Sequence, residues 1–454
     1  MSGGRCSKRP EAVTAHLRKL WLELKGSYWF IPSVLTLAAF LMAVATIHLD
    51  QVWGSAWLTS FEWFERVRPA GARAQLTVIA SAMIAVSSTL FAITIAAVAF
   101  ASGNYGPRLL TNFMSDRGNQ VSLGVFIATF AYNLMVLRLV RDSEGAPAPG
   151  EAAEAVSAFV PQLSMLVSSA SAILAIGVLV YFLHHIPASI RINTVLAGIG
   201  RHLLKDIEDR FPEDRSQGES PPGEEEGAPV TAGDEGYIEI IDFQSLGKIA
   251  AEADATISLC VRTGDFVHPV MPLLQWAGEP PSDELAERLR NCFSLGASRT
   301  PSQDLEFLID EMVEIALRAL SPGVNDPFTA VTSLHWMGAA IGSLARRSLR
   351  YGPEQDKYQA ERVRTRPDDF GHFLKRSFGG VRASVAASPI ASKIFLDTLE
   401  KAALGQVSPQ RRALILEEGR LLVVQAEGAL HGPALEELKE RLATFEASIG
   451  RMAS

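Results

Sequence analysis

The sequence predicts a mainly α fold: a four-helix transmembrane domain, then a small β module and a cytoplasmic helical bundle. Three observations carry this. Four long apolar runs lie before Leu183 of the 454-residue chain. β-type segments are confined to a short stretch after them, and the remainder shows helical periodicity with prolines and caps at its breaks. The whole-chain numbers point the same way, with 48% hydrophobic and only 20% charged residues and a mean hydropathy of +0.15. Soluble domains carry about 25% charged residues, so one part of the chain must be unusually apolar.

The runs are Trp29–Leu49, Gln75–Ala101, Val121–Leu137 and Gln162–Leu183. At 1.5 Å per residue, about 20 helical residues cross the ~30 Å hydrocarbon core. Four buried helices of a large soluble core are the competing reading, but such helices seldom lack a polar face over this length. A cleaved signal peptide is also considered, because Ala43-Val44-Ala45 resembles a cleavage site. The apolar run there exceeds the usual length of about 7–15 residues.

Basic residues set the expected orientation. Arg5, Lys8, Arg9, Arg18, Lys19 and Lys25, then Arg108 and Arg117, then Arg191, Arg201, Lys205 and Arg210 share one side. The opposite loops hold Arg66, Arg68, Arg73 and Arg141, with Arg138 at a helix end. Positive-inside bias therefore places both termini in the cytoplasm. Trp57, Phe61 and Phe64, at helical spacing, suggest a short helix lying in the outer interface.

The expected organisation is a basic amino terminus (1–26), the four-helix domain (27–185), a helical extension continuing the fourth helix (186–210), an acidic flexible linker (211–236), the β module (237–278) and the bundle (279–454). The linker is rich in Pro, Gly, Ser and Glu and cannot bury a core. The β module is read from Tyr237–Ile241, Thr256–Arg262 and Met271–Trp276. In the bundle, a helix is expected from Thr300, with Pro301 at its first position and Gln303 completing a capping box. The next starts after Ser321-Pro322-Gly323 with Asp326 as cap and runs to about Arg347. Further helices are expected near Phe373–Ala403, Pro409–Leu430 and Pro433–Ser448.

The net charge of −8 and a pI near 5.7 argue against a nucleic-acid partner. Cys6, Cys260 and Cys292 have no metal-like spacing. No Walker A loop, GxGxxG, GxSxG, HExxH or paired CxxC occurs, so no catalytic residue or cofactor is assigned and the chain is read as non-enzymatic. Asp304, Asp310 and Glu314 form the acidic candidate, since Asp310 and Glu314 are i, i+4 neighbours able to meet one cation; a solvated helix face competes with this. Asn325 and Asp326 stand where a helix amino terminus attracts anions, against a plain interhelical turn. His184 and His185 point about 100° apart on a helix, so interfacial packing is preferred to joint ligation.

Within the bilayer the second helix holds Ser81, Ser87, Ser88, Thr89 and Thr94 among alanines, a surface suited to a pathway in an oligomer or to close packing. Asn133 and Arg138 in the third are costly against lipid, so both are expected to face the interior unless Arg138 snorkels. Leu109–Arg117, flanked by Arg108 and containing Asp116 and Arg117, is a candidate coupling segment.

The strings Gly106–Leu110 with Asp116–Gln120, Arg299-Thr300 with Gln303-Asp304, and Ala316–Ala330 resemble an uncharacterised family of predicted bacterial inner-membrane proteins. The resemblance implies a multi-pass membrane protein and carries no activity with it. Two readings of function follow. The first is a channel or transport-type homo-oligomer regulated by its cytoplasmic part. The second is a membrane-anchored scaffold or sensor with a cytoplasmic protein partner. Expected partners are thus the lipid bilayer, further copies of the chain and, on the second reading, that cytoplasmic protein.

Overall fold

A computed structural model describes residues 27–53, 68–106, 116–141, 159–211, 227–349, 362–366 and 369–453. The basic amino terminus, the aromatic segment around Trp57, Arg108 with most of the coupling segment, and 212–226 of the acidic linker lie outside the described residues. The chain divides into two compact units, one ending at Arg191 and the other starting at Ile192.

The amino-terminal unit contains α1 (Phe30–Trp53), α2 (Pro69–Tyr105), α3 (Arg117–Leu137) and α4 (Gln162–Ser189). All four are long and apolar enough to cross a membrane. α3 packs against each of the other three and is the most enclosed. It is also the most polar, burying Asn119, Gln120, Ser122, Thr129 and Asn133. Polar groups in hydrocarbon are stabilised only by protein partners, so the helix that carries them takes the centre. Asn133 is 0% exposed. Its amide donates to the Thr129 carbonyl at 2.7 Å, and Ser168 donates to its Oδ1 at 2.5 Å.

The carboxyl-terminal unit opens with α5 (Ile192–Arg210). This corrects the expected continuous extension of α4, which ends at Ser189 just after Pro187. Pro187 lacks an N–H for the ladder and marks the weakened last turn. Leu196, Ile199, Leu203 and Ile207 form the buried stripe of α5, which packs on α8 (Leu305–Ala319) and α9 (Pro327–Ala345). Gly200 lies on the same stripe, where a Cβ would stand 2.3 Å from the Trp336 ring of α9. Only glycine permits that approach.

Two small sheets follow. In the first, β1 (Ala228–Thr231) pairs antiparallel with β5 (Pro272–Ala277), β5 with β3 (Thr256–Leu259), and β3 runs parallel to β7 (Val363–Arg364). In the second, β2 (Gly236–Ile241) lies between β4 (Phe266–Val267) and β6 (Phe293–Gly296), antiparallel to both. α6 (Phe243–Glu252) and α7 (Asp283–Arg290) pack with them around Trp276, Leu246, Ile257 and Leu289. The β module is thus wider than expected. β1 lies inside the stretch read as linker, and β6 and β7 lie inside the stretch read as bundle. Strands of two to six residues stand only because neighbours extend the sheets.

The expected helix at Thr300 begins at Leu305 instead. Gln303 has φ +58° and cannot be helical, and Asp304 is the cap, accepting from the Phe307 N–H at 3.0 Å. The expected helix Phe373–Ala403 is broken into α10 (Phe370–Leu374), a π-type turn (Lys375–Gly379), α11 (Gly380–Ala386) and α12 (Pro389–Ala402). Ser388 caps α12 and Pro389 takes its first position, where a missing N–H costs nothing. α13 (Pro409–Ala426) and α14 (Pro433–Ala453) complete the bundle. Buried Arg411 on α13 donates to the carbonyls of Leu344, Ala345 and Arg347, satisfying the orphan acceptors at the end of α9.

Candidate functional site

The carboxyl-terminal unit assembles an ionic cluster at the start of α8. Asp304 caps this helix and is 3% exposed. Arg299, five residues earlier, grips both its oxygens, with Nε and Nη2 at 2.9 Å. The third nitrogen, Nη1, donates to Asp310 Oδ2 at 2.6 Å, so one guanidinium ties the cap to the next turn but one. From the π-type turn, Arg376 holds Asp310 bidentately at 2.7 Å and Glu306 at 2.6 Å. His372 Nε2 lies 2.9 Å from Glu306 Oε1, and Arg262 lies 3.7 Å from the same oxygen. The chain therefore brings three carboxylates and three guanidinium groups together from four segments.

Burial raises the Asp304 carboxyl above its ordinary range, and the Arg299 charge opposes that rise. For Arg376 burial acts downward, but the hydrogen bonds and charges of Asp310 and Glu306 outweigh it and raise the guanidinium. The cluster is thus held by fixed, forked charge pairs. Among the described residues no group of three or more His, Cys, Asp or Glu side chains is placed to hold a metal.

A small, half-open cleft of about 50 Å³ lies beside the cluster. Gln303 forms one wall: its Oε1 accepts from the Ile241 N–H at 3.0 Å and its Nε2 donates to the Ile241 carbonyl at 3.3 Å, extending the edge of β2. The Gln303 carbonyl accepts from Thr263 at 2.5 Å and Arg210 at 2.7 Å. Against Asp304, Gly264 turns the chain with φ +90°, and a Cβ there would stand 2.2 Å from Asp304 Oδ2.

The sequence candidates distribute unevenly. Asp304 and Asp310 meet in the cluster; Glu314 is half-buried one turn further along α8, and the acid buried in that stretch is Glu311. Asn325 and Asp326 stand beyond the other end of α8, about 22 Å away at 1.5 Å per residue. Asn325 takes φ +48°, and Asp326 caps α9 by accepting from the Thr329 N–H at 3.2 Å and its hydroxyl at 2.6 Å. The string around them is an interhelical turn.

In the amino-terminal unit the α2 hydroxyls split between two faces. Ser87 and Thr94 are buried with Met83 and Leu90, while Ser81, Ser88 and Thr89 face outward. Ser87, Ser88, Thr89 and Thr94 each donate to the carbonyl four residues back, at 2.8–3.1 Å. Arg138, expected inward or snorkelling, is exposed at the end of α3, and Arg117 is exposed at its start. Asp116 caps α3, accepting from Asn119 at 3.0 Å, and both its oxygens lie 3.0–3.1 Å from His185 Nε2 on α4.

Two residues escaped sequence reasoning. Asp50, just past the first apolar run, is 5% exposed and accepts from the N–H groups of Leu163 and Ser164 at 2.9 Å and from the Ser164 hydroxyl at 2.8 Å. It caps α4, whose own N-cap, Pro161, offers no side-chain acceptor. Arg376 looked like one more basic residue on a helix face. A lone acid closing an apolar run is a usable signal for the first. Nothing local marks the second.

A family model described as predicted membrane protein DUF2254 matches residues 25–401. The chain belongs to the DUF2254 family. With its four apolar helices it is a membrane protein. Uncharacterized proteins of Mycobacterium bovis and of Mycobacterium tuberculosis, in two strains, are 30% identical to this DUF2254 chain over 421 residues, covering 90% of it and 78% of each relative. No solved structure matches it. The match spans the α1–α4 unit, the ionic cluster and the cleft, and ends within α12.

Proposed function

We propose that this DUF2254 protein is a multi-pass protein of the bacterial inner membrane with both termini in the cytoplasm. On this reading α1–α4 are the anchor, and the unit from Ile192 onward is a cytoplasmic, non-enzymatic sensor or scaffold. The observation that carries it is the packing of Asn133. This amide of the central span is fully enclosed and held by Thr129 and Ser168, as expected of an anchor rather than of a pathway lining. Its acidic cluster is matched by arginines, which favours a structural over a catalytic role. The test joins topology to flux. Reporters active only outside or only inside the cell are fused after Ser454 and within residues 142–158, and the purified chain is placed in sealed liposomes. A carboxyl terminus reported outside, or protein-dependent ion flux, overturns this reading.

One observation favours the channel or transport-type homo-oligomer. Ala85, Ser88, Ala92, Ala96 and Ala99 lie on the outward side of α2. Small residues let helices approach closely in lipid, so this face suits contact with a second copy. Cysteines at Ala85, Ser88 and Ala92, oxidised in native membranes, would give crosslinked dimers on this reading and only monomers otherwise.

A further inference from the structure

We propose that the turn joining α8 to α9 is a lipid contact: Val324 at its tip and Phe328 behind it sit in the interface of the bilayer that α4 crosses. The proposal adds a membrane surface to the carboxyl-terminal unit. It rests on α4 being a span and not on which side of the membrane the unit lies.

Helix directions inside the carboxyl-terminal unit bring this turn to the end where α5 starts. Gly200 of α5 meets the Trp336 ring of α9, and Arg347, just past α9, donates from Nη1 to the Phe211 carbonyl at 2.6 Å. Both pairs are 136 residues apart, so α5 and α9 run parallel and in step. The same offset sets Phe328, at the start of α9, level with Ile192, at the start of α5. α8 runs the other way, because Arg210 at the end of α5 donates to the Gln303 carbonyl just before α8 begins. Its last turn and the connection to α9 therefore lie beside Ile192. The chain enters α5 directly from a span. α4 has 28 residues, about 42 Å at 1.5 Å each, which matches the ~40–45 Å of a bilayer with its headgroups and puts Ser189 at headgroup level. Ile192 follows three residues later, within reach of about 11 Å.

The turn has the surface for such a contact. Val324 is 51% and Phe328 68% exposed, and Leu317, in the last turn of α8, is 37% exposed. Exposed apolar groups gathered in one place mark protein or membrane contacts. Between Leu317 and Phe328 the sequence holds one acid, Asp326, whose oxygens are turned onto the Thr329 N–H and hydroxyl. The backbone is also suited to an apolar setting. The N–H groups of Val324 and Asn325 donate to the Ser321 carbonyl and that of Asp326 to the Ala319 carbonyl, at 2.8–3.1 Å, while Pro322 and Pro327 have none. A turn that satisfies most of its own N–H groups loses little on leaving water. The bilayer interface is the apolar phase that the chain itself brings to this end of the unit, which favours lipid over a soluble partner.

The full-length chain in phosphatidylcholine vesicles tests the contact. Cys6→Ser and Cys260→Ser leave only buried Cys292, and Gly323→Cys then adds an exposed thiol where a Cβ would meet nothing within 4 Å. Glu208→Cys, exposed about 24 Å along α5 from Ile192, is the control. Each thiol carries a polarity-sensitive fluorophore, and the lipid chains carry a nitroxide near the headgroup in both leaflets. An interfacial contact buries groups by about 5–10 Å, so the label at position 323 should lose at least about half of its emission and the label at position 208 less than about a tenth. Val324→Glu with Phe328→Glu should bring the loss at position 323 down to that of the control. Equal loss at the two positions overturns the proposal, as does water-like emission at position 323 or a double variant that quenches like the parent. Apolar emission that nitroxide lipid leaves unquenched, the mark of a protein cover, overturns it too. The readout is independent of orientation, so a carboxyl terminus reported outside would overturn the topology above and leave this contact standing.

Discussion

Asp50 gives the sharpest quantitative expectation. Its carboxylate sits on α1 yet completes α4, whose first turn has Pro161 at the N-cap and no side-chain acceptor of its own. Asp50→Ala leaves two backbone N–H groups and one hydroxyl without this acceptor at a buried position. Each buried donor left unmade costs about 1–3 kcal/mol, and the hydroxyl can turn to a helix carbonyl while the two N–H groups cannot. Removing a buried charge returns part of that, so the expected loss is about 2–4 kcal/mol. For a unit of this size each kcal/mol moves the melting temperature by about 2–4 °C, which predicts a fall of about 5–15 °C. Asp50→Asn keeps one carbonyl oxygen in place and should recover about half. The assay is scanning fluorimetry of the full chain in detergent. A shift below about 2 °C for Asp50→Ala, or an Asn variant no better than Ala, would refute the capping argument.

Four other expectations follow from the carboxyl-terminal unit. A fragment Ile192–Ser454 should be monodisperse and melt cooperatively. A fragment starting at Gly236 loses the buried stripe of α5 and β1 and should show neither in light scattering and calorimetry. Gly200→Leu drives a side chain into the Trp336 ring and should cost about 1–3 kcal/mol in that fragment's denaturant midpoint, and Gly200→Leu with Trp336→Ala should recover part of it. Asp310→Asn removes the shared partner of Arg299 and Arg376 and should lower the melting temperature, whereas Mg²⁺, Ca²⁺ and Mn²⁺ should leave the parent unmoved. Burial pushes the Cys292 thiol up to about 12, so at pH 8 its thiolate fraction is about 10⁻⁴, and a Cys6→Ser, Cys260→Ser variant should react with a thiol reagent only after unfolding.

Much of the layout is legible because periodicity and length are local properties. The four spans, the Asp326 cap with Pro327 behind it, and the bundle helices from Pro409 and Pro433 can all be read from short windows of sequence. The failures lie where a partner far along the chain decides the outcome. A helix from Thr300 satisfies every capping rule, but Gln303 is taken by the Ile241 backbone 62 residues away and Asp304 becomes the cap instead. β7 is two residues long and exists only because β3 accepts it. The acidic cluster is visible as Asp304, Glu306 and Asp310 on one stretch of helix. Its neutralisation by Arg376, 66 residues on in a π-type turn, is not.

Two apolar helices that carry small and polar residues, α2 and α3, end up in opposite roles, and hydrogen-bond bookkeeping explains it. A serine or threonine can return its proton to the carbonyl one turn back, so the hydroxyls of α2 are satisfied within their own helix and can face lipid or another chain. Asparagine has more polar capacity than one such bond uses. Asn133 spends its amide on Thr129 and still needs a donor for its carbonyl, which Ser168 of α4 provides. That unmet second bond pulls α3 to the centre and leaves α2 with an outward small face. Asn133→Leu should then remove the need for Ser168 with a modest change in stability. Ser168→Ala, which strands the Asn133 carbonyl, should cost more, by about 1–3 kcal/mol in detergent melting. The reverse order would mean that something other than the polar pair seats α3.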